Sequence, residues 1–122
     1  MTAIDAIASD FTAMLRAGQF EAAGEKYWAS DVVSIEPADL PGGIRASVVG
    51  IDAARIKCAA RFGTALVDEI GIDGPFVTGD QFTLFLDLVT LDPVTGKRRS
   101  LTEIALYTVR NNRIAEERHF YD

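Results

Sequence analysis

The last part of the chain constrains its fold most, because it contains two β-rich segments joined by a two-residue polar turn. Residues 103–110 run up to Asn111-Asn112, and residues 113–122 follow directly. Asparagine tolerates the left-handed backbone that a tight hairpin turn requires. The pattern therefore predicts a long β-hairpin in which Arg110 pairs with Arg113.

Alternation along this hairpin assigns its residues to two faces. One face would carry Leu101, Glu103, Ala105, Tyr107, Val109, Ile114, Glu116, Arg118 and Phe120. The other would carry Thr102, Ile104, Leu106, Thr108, Ala115, Glu117, His119 and Tyr121. The first face mixes ionisable and apolar side chains, which indicates a polar-lined pocket. A turn one residue longer would exchange the faces and bring Glu117, His119 and Tyr121 into the pocket.

Three helices are predicted upstream of a run of strands. Apolar residues at helical spacing predict helices over residues 4–16, 20–28 and 52–66, the third with Ile56, Ala59, Ala60, Phe62 and Leu66 facing inward. Strands are predicted over 32–36, 67–72, 76–78 leading into 81–91, 99–110 and 113–121, with a turn at Gly74-Pro75. Residues 38–50 would form a long loop with a short strand at 46–49. This order indicates an α+β fold, a cone with one open mouth.

Length and charge limit the function classes. The 122 residues fit one domain, 1–122, with a real core, and the net charge of −6 repels phosphate groups. We therefore expect no nucleic-acid partner and no anionic membrane surface. The N-terminus has no basic leader and no long apolar run, so we expect neither a signal peptide nor a spanning helix. The single cysteine, Cys58, cannot form an internal disulfide and fits a cytoplasmic protein.

Four segments of the chain, in this order, resemble the nuclear transport factor 2-like superfamily. They are residues 11–20 (FTAMLRAGQF), 27–37 (YWASDVVSIEP), 50–54 (GIDAA) and 107–117 (YTVRNNRIAEE). Within the superfamily, the chain is most similar to the SnoaL-like polyketide cyclases and the ketosteroid isomerases. The resemblance spans nearly the whole chain. It implies a cystatin-like α+β roll, with three N-terminal helices packed in the concavity of a curved, mainly antiparallel sheet.

The resemblance also places a general-base carboxylate at Glu36. A carboxylate in an apolar pocket has a raised pKa, which suits proton abstraction beside a carbonyl group. The ketosteroid isomerase pattern then fails at two positions, because its oxyanion-hole tyrosine falls at Phe11 and its carboxylic acid at Ala105. Neither residue donates a hydrogen bond from its side chain. The resemblance therefore implies a different reaction in the same kind of pocket.

The hairpin supplies the other candidate site residues. Glu103 would lie diagonal to Arg118, and Tyr107 opposite Glu116. Arg118 and Tyr107 could bind a carboxylate or carbonyl oxygen while Glu103 orients Arg118, or the ion pair could simply plug the barrel. The candidate substrate-binding residues are Trp28, Phe62, Phe82, Glu103, Glu116 and Phe120. The cyclases use a carboxylate near His119, which makes it a candidate acid or base, although alternation places it on the convex face.

Other kinds of site lack their usual residues. One histidine and one cysteine cannot supply the usual zinc ligands. The glycine-spaced segment 74–79 is not followed by Lys-Ser/Thr, and neither a dinucleotide fingerprint nor a nucleophile elbow is present. We therefore expect chemistry without a metal or another cofactor.

Three function hypotheses remain open. The first is cofactor-independent acid/base chemistry, isomerase-, cyclase- or hydratase-like, on a small apolar carbonyl compound, with residues 38–50 covering the mouth. The second is a non-catalytic small-molecule-binding or accessory dimer. The third is a structural dimer whose pocket is closed by Glu103 and Arg118. The convex face bearing Ile104, Leu106 and Thr108 is partly apolar, and the resemblance implies a homodimer formed through it.

Overall fold

A computed structural model describes residues 2–122 as three helices packed on a six-stranded sheet, which confirms the α+β roll. The elements are α1 (Ala3–Arg16), α2 (Phe20–Tyr27), β1 (Trp28–Ile35), β2 (Ser47–Val49), α3 (Ile51–Ala60), β3 (Leu66–Thr78), β4 (Gln81–Leu91), β5 (Arg98–Arg110) and β6 (Arg113–Phe120). The strand order is β2-β1-β6-β5-β4-β3. The β1–β6 pair is parallel and the other four neighbouring pairs are antiparallel.

Helix α1 begins with a capping box and buries one apolar side. Thr2 and Asp5 satisfy each other's backbone N–H groups at the first turn. Ile7, Phe11 and Leu15 lie at helical spacing and are buried against the sheet. None of the helices in residues 2–122 is long and apolar enough to cross a membrane.

The core lies between this side of α1 and the concave face of the sheet. Alternate residues of β4 are buried there: Phe82, Leu84, Leu86 and Leu88. The Phe11 ring meets the Tyr107 ring edge-on with centroids 4.9 Å apart, and Tyr107 stacks on Phe82 at 4.7 Å. This aromatic group fixes Tyr107 at the floor of the concavity.

Helix α3 differs from its prediction in length and in its buried side. It ends at Ala60, and its inward residues include Ala54 and Lys57. Ile56 and Leu66 are exposed, so the predicted inward face is wrong. The predicted turn at Gly74-Pro75 is also wrong, because β3 continues through it with a shift in register.

The terminal hairpin has the predicted turn but carries a bulge. Arg110 pairs with Arg113 and Val109 with Ile114, which confirms the two-residue turn. The next pair is Thr108 with Glu116, so Ala115 is an extra residue on β6. Directly opposed residues share a face, and Tyr107 opposes Glu117 while Ala105 opposes His119.

Beyond Ala115, the two faces of β6 are therefore exchanged relative to the prediction. Glu117 and His119 are buried on the concave face. Glu116, Arg118 and Phe120 turn to the other side, so their predicted placement in the pocket is wrong. The convex placement of His119 is wrong for the same reason. One inserted residue has the effect that a longer turn would have had.

Candidate functional site

Six ionisable side chains meet where α3 crosses the concave face of the sheet. They are Glu36 after β1, Lys57 and Arg61 on and after α3, Glu103 on β5, and Glu117 and His119 on β6. None of these side chains is more than 8% exposed. Charges at such depth persist only when they are paired and hydrogen-bonded. We call these six residues the buried charge cluster.

Glu36 is held by three partners. Lys57 Nζ lies 2.5 Å from Oε2, Arg61 Nε lies 2.8 Å from Oε1, and the Tyr121 hydroxyl donates to Oε1 at 2.8 Å. Burial acts to raise the pKa of Glu36, but His119, Arg61 and Lys57 outweigh it and hold the pKa below its ordinary value. The raised pKa expected for a general base at this position is therefore wrong.

Glu117 is also fixed at both oxygens. Trp28 Nε1 donates to Oε1 and Ser34 Oγ to Oε2, each at 2.7 Å. Burial raises the pKa of this carboxyl, but His119, Ser34 and Trp28 outweigh burial and lower it to about 2. Glu117 is therefore a carboxylate at physiological pH.

Glu103 pairs with an arginine from a helix rather than from the neighbouring strand. Its Oε2 forms an ion pair with Arg61 Nη2, and its Oε1 lies 3.4 Å from His119 Nδ1. Burial acts to raise the pKa of Glu103, but His119 and Arg61 outweigh burial and lower it. The predicted pair of Glu103 with Arg118 is wrong; Arg61 takes that place.

His119 completes the buried charge cluster. Its Nε2 lies 3.5 Å from both Glu36 Oε2 and Glu117 Oε2. Burial and Arg61 act to lower the pKa of His119, but Glu103 and Glu117 raise it above the ordinary value of 6.5. Three carboxylates face two cations, Lys57 and Arg61, which leaves one negative charge. An imidazolium at His119 balances that charge.

An internal cavity of about 30 Å³ borders the buried charge cluster. Its polar wall contains Lys57, Arg61, Glu103, Glu117 and His119, and its other wall contains Phe11, Leu15, Phe20, Gly24, Trp28, Cys58, Leu86 and Tyr107. This volume suits a single water molecule. Phe20 and Cys58 are half-buried, so the cavity approaches the surface between α2 and α3.

Three groups at the cavity have hydrogen-bonding capacity to spare. Within residues 2–122, His119 Nδ1 and Arg61 Nε have no aligned hydrogen-bond partner, although carboxylates lie close to both. Tyr107 is almost completely buried, and burial raises its pKa well above 10.0, so it remains a neutral donor. Together these groups can donate hydrogen bonds to a ligand oxygen.

The aromatic candidates separate into lining and supporting residues. Trp28 lines the cavity, and its role in substrate binding stays a prediction. Phe82 stacks behind Tyr107, and Phe62 packs against Phe20 with ring centroids 6.0 Å apart. Arg118 and Phe120 instead line an outer groove of about 700 Å³, whose lining also includes Glu36, His119 and Tyr121.

Sequence reasoning missed Lys57, Arg61 and Ser34, and it included Glu117 and Tyr121 only for a longer turn. A signal was present in α3, because Ala54, Lys57, Cys58 and Arg61 follow one another at helical spacing. Two of the four are cations, which normally mark the exposed side of a helix. Among residues 2–122, no group of three or more histidine, cysteine, aspartate or glutamate side chains is arranged to hold a metal ion.

The comparisons with known proteins identify the family. The SnoaL-like domain model matches residues 1–121. The chain belongs to the SnoaL-like family. A crystal structure of a Mesorhizobium loti protein, named as a SnoaL-like polyketide cyclase and also as a carbohydrate phosphatase, is 39% identical, with 99% of this chain and 100% of that chain covered and a TM-score of 0.84. No curated protein matches the chain.

Two more distant structures share the fold. TerC, co-crystallised with polyporic acid, is 16% identical, with 98% of this chain and 91% of that chain covered and a TM-score of 0.75. A hypothetical protein from Catenulispora acidiphila, with a ketosteroid isomerase-like fold and in complex with trimethylamine, is 14% identical. That match covers 92% of this chain and 85% of that chain, with a TM-score of 0.69.

Removing Arg61 should destabilise the fold far more than removing Arg118. Arg61→Ala leaves Glu103 and part of Glu36 buried without a cation, which costs about 3 kcal/mol or more of unfolding free energy. Arg118 is exposed, and we expect Arg118→Ala to change stability by less than about 0.5 kcal/mol. Urea denaturation monitored by circular dichroism measures both. Equal losses in the two variants would contradict the pairing described here.

Stability should depend on pH in two directions. The raised pKa of His119 contributes stability below pH 6.5 that is lost as pH rises through the raised value. The lowered pKa values of Glu36, Glu103 and Glu117 contribute stability above pH 4.5 that is lost as pH falls through them. We expect the free energy of unfolding, measured in urea, to be highest between these two pH values.

The His119→Gln variant is the matched control for this prediction. Glutamine cannot carry the proton, so the decline on the alkaline side should be absent in the variant. If the free energy of unfolding declines equally at alkaline pH in the wild type and in His119→Gln, the decline belongs to another titratable group.

Proposed function

We propose that this SnoaL-like protein catalyses acid/base chemistry on a small, mainly apolar carbonyl compound, with His119 as the proton-transferring group. The observation that carries the proposal is the position of His119 at the cavity, buried between Glu103 and Glu117 at 3.4 and 3.5 Å. A histidine whose pKa lies near the working pH is the most common general acid or base in enzymes.

Each polar group at the cavity then has a role. The His119 imidazolium gives a proton to the ligand oxygen, and the neutral imidazole accepts the proton from the adjacent carbon. Tyr107 and Arg61 donate hydrogen bonds to the carbonyl oxygen, which polarise the C=O bond as the adjacent carbon loses its proton. Glu103 orients Arg61 and His119. The sequence predicted the same orienting role for Glu103, but with Arg118 as its partner. A catalytic role for Glu36 stays a prediction. Because Lys57 and Arg61 already pair with its carboxylate, we favour His119 as the proton-transferring group.

The ligand would enter between α2 and α3. A cavity of about 30 Å³ does not admit a carbonyl compound unless its wall moves. Phe20 lines the cavity, is half-buried and packs against Phe62, so displacement of this aromatic pair would open a route inward. The apolar wall of Phe11, Leu15 and Leu86 suits an apolar ligand body. The polyketide cyclase part of the Mesorhizobium loti relative's name also supports a ligand with carbonyl groups.

Deuterium exchange tests the proposal without knowledge of the natural substrate. A panel of small cyclic and aromatic ketones is incubated with the protein in D₂O, and loss of the α-proton signal is followed by NMR. We expect at least one ketone to exchange about 10²-fold faster than in buffer, the usual contribution of a positioned acid or base. His119→Gln should return the rate to background.

Two further variants complete this experiment. Lys97→Gln, in an exposed turn between β4 and β5, should keep the wild-type rate. Glu36→Gln separates the two candidate bases. Exchange that survives in His119→Gln and disappears in Glu36→Gln would reject His119 and support Glu36.

The second candidate function is ligand binding without turnover. It is favoured by the ion pairs of Glu36 and Glu103 and the hydrogen bonds to Glu117, which leave no carboxylate free to act as a base. A ketone that raises the melting temperature of the protein but undergoes no exchange would support this function.

The free, half-buried Cys58 fits a reducing compartment, and we place either function in the cytoplasm.

We also propose that the protein forms a homodimer through its convex face. Phe85, Ile104 and Phe120 are paired in one row across β4, β5 and β6 and are 45%, 38% and 47% exposed. A contiguous apolar row of this kind is typical of an interaction surface.

Phe85→Glu tests the dimer by placing a charge in the middle of this row. We expect the wild-type protein to have the mass of two chains by light scattering and the variant to have the mass of one, because the carboxylate would be buried without a cation. Val94→Glu, at a residue that is 91% exposed in a turn, is the control and should remain dimeric. A monomeric wild-type protein would contradict this proposal and leave the proposed chemistry standing.

A further inference from the structure

Gly24 lies in α2 directly against the indole ring of Trp28. A β-carbon on Gly24 would lie 2.2 Å from Cζ2 and 2.4 Å from Cε2 of that ring. These atoms belong to a rigid buried ring, so any side chain at position 24 must displace the indole. Glycine is a poor residue for the interior of a helix, and its presence here gives the indole its space.

The indole in turn holds a carboxylate of the buried charge cluster. Trp28 Nε1 donates to Glu117 Oε1, and Ser34 Oγ donates to Oε2. With both oxygens held, Glu117 Oε2 stays 3.5 Å from His119 Nε2. The contacts form one series, from Gly24 through Trp28 and Glu117 to His119.

We propose that Gly24 and Trp28 are positioning residues for His119: the space at Gly24 admits the indole, and the indole N–H keeps the Glu117 carboxylate turned toward the imidazole. Without this donor, Ser34 alone holds the carboxylate, so the orientation of Glu117 toward His119 is less tightly fixed. The inference rests on the role of His119 proposed above, but its test requires no substrate.

Other charged and titratable groups also surround His119. They are Glu36 after β1, Lys57 and Arg61 on and after α3, Glu103 and Tyr107 on β5, and Tyr121 after β6. None of them accepts a hydrogen bond from Trp28, whose indole donates to Glu117. Replacement of Trp28 by phenylalanine therefore removes a hydrogen bond from Glu117 and from no other member of the cluster.

The sequence provides a clean measurement, because the chain has one histidine and one tryptophan. The Cε1–H resonance of His119 reports its titration, and the indole N–H resonance reports the hydrogen bond of Trp28. In Trp28→Phe, which keeps an aromatic ring but removes the donor, we expect the His119 titration midpoint to move to lower pH. A midpoint that is unchanged or higher would overturn the inference.

Gly24→Ala tests the first contact in the series. We expect a lower melting temperature despite the better helix propensity of alanine, an indole N–H resonance moved upfield, and a lower His119 midpoint. Added to Trp28→Phe, the Gly24→Ala change should shift the midpoint no further, because Gly24 acts through the indole. An additional shift in the double variant would refute that coupling. If Gly24→Ala does not fold, the His119 titration midpoint in Trp28→Phe alone tests the inference.

Ala22→Gly is the matched control, since it weakens α2 at an exposed position away from the indole. It should leave the His119 midpoint unchanged, and an equal shift would show that helix stability alone is responsible. A lowered midpoint in Trp28→Phe without ketone exchange by the wild type rejects the proposed function and keeps this inference. Ketone exchange by the wild type together with an unchanged midpoint in Trp28→Phe rejects this inference and keeps the proposed function.

Discussion

The structure depends on the balance of charge inside the buried cluster. Glu36, Glu103 and Glu117 are held as carboxylates by hydrogen bonds and ion pairs, and Lys57 and Arg61 supply only two positive charges. An unbalanced charge at this depth costs several kcal/mol, so the fold favours the protonated form of His119. The same requirement that stabilises the fold therefore places a proton at the cavity, where the proposed chemistry uses it.

Two local features of the chain assemble this cluster. The extra residue Ala115 turns Glu117 and His119 to the concave face of β6, beside Tyr107. Lys57 and Arg61 lie one helical turn apart and reach down from α3 to Glu36 and Glu103. The sheet supplies the anions and the helix supplies the cations, so the cluster also fixes α3 to the sheet. A regular hairpin without the bulge would have put Arg118 inside in place of His119.

Much of the fold follows from the sequence, because local patterns determine it. Polarity alternation, turn asparagines and helical spacing predicted the terminal hairpin, its Arg110–Arg113 pair and the bounds of β4. The resemblance placed Glu36 inward; alternation put Glu103 and Tyr107 on one face of the hairpin, and the resemblance turned that face inward. The bulge escaped prediction because it depends on which side chains the tertiary structure can satisfy. The inward face of α3 escaped because two of its residues are cations, whose burial makes sense only beside carboxylates from three other elements.

The protonation state of His119 is the most direct test of this account. In uniformly ¹⁵N-labelled protein, the two ring nitrogens of this single histidine distinguish imidazolium from neutral imidazole. At pH 6.5, the ordinary pKa of histidine, we expect more than half of the molecules to carry the imidazolium form. A neutral imidazole in half or more of them would contradict the charge balance and remove the proton donor from the proposed site.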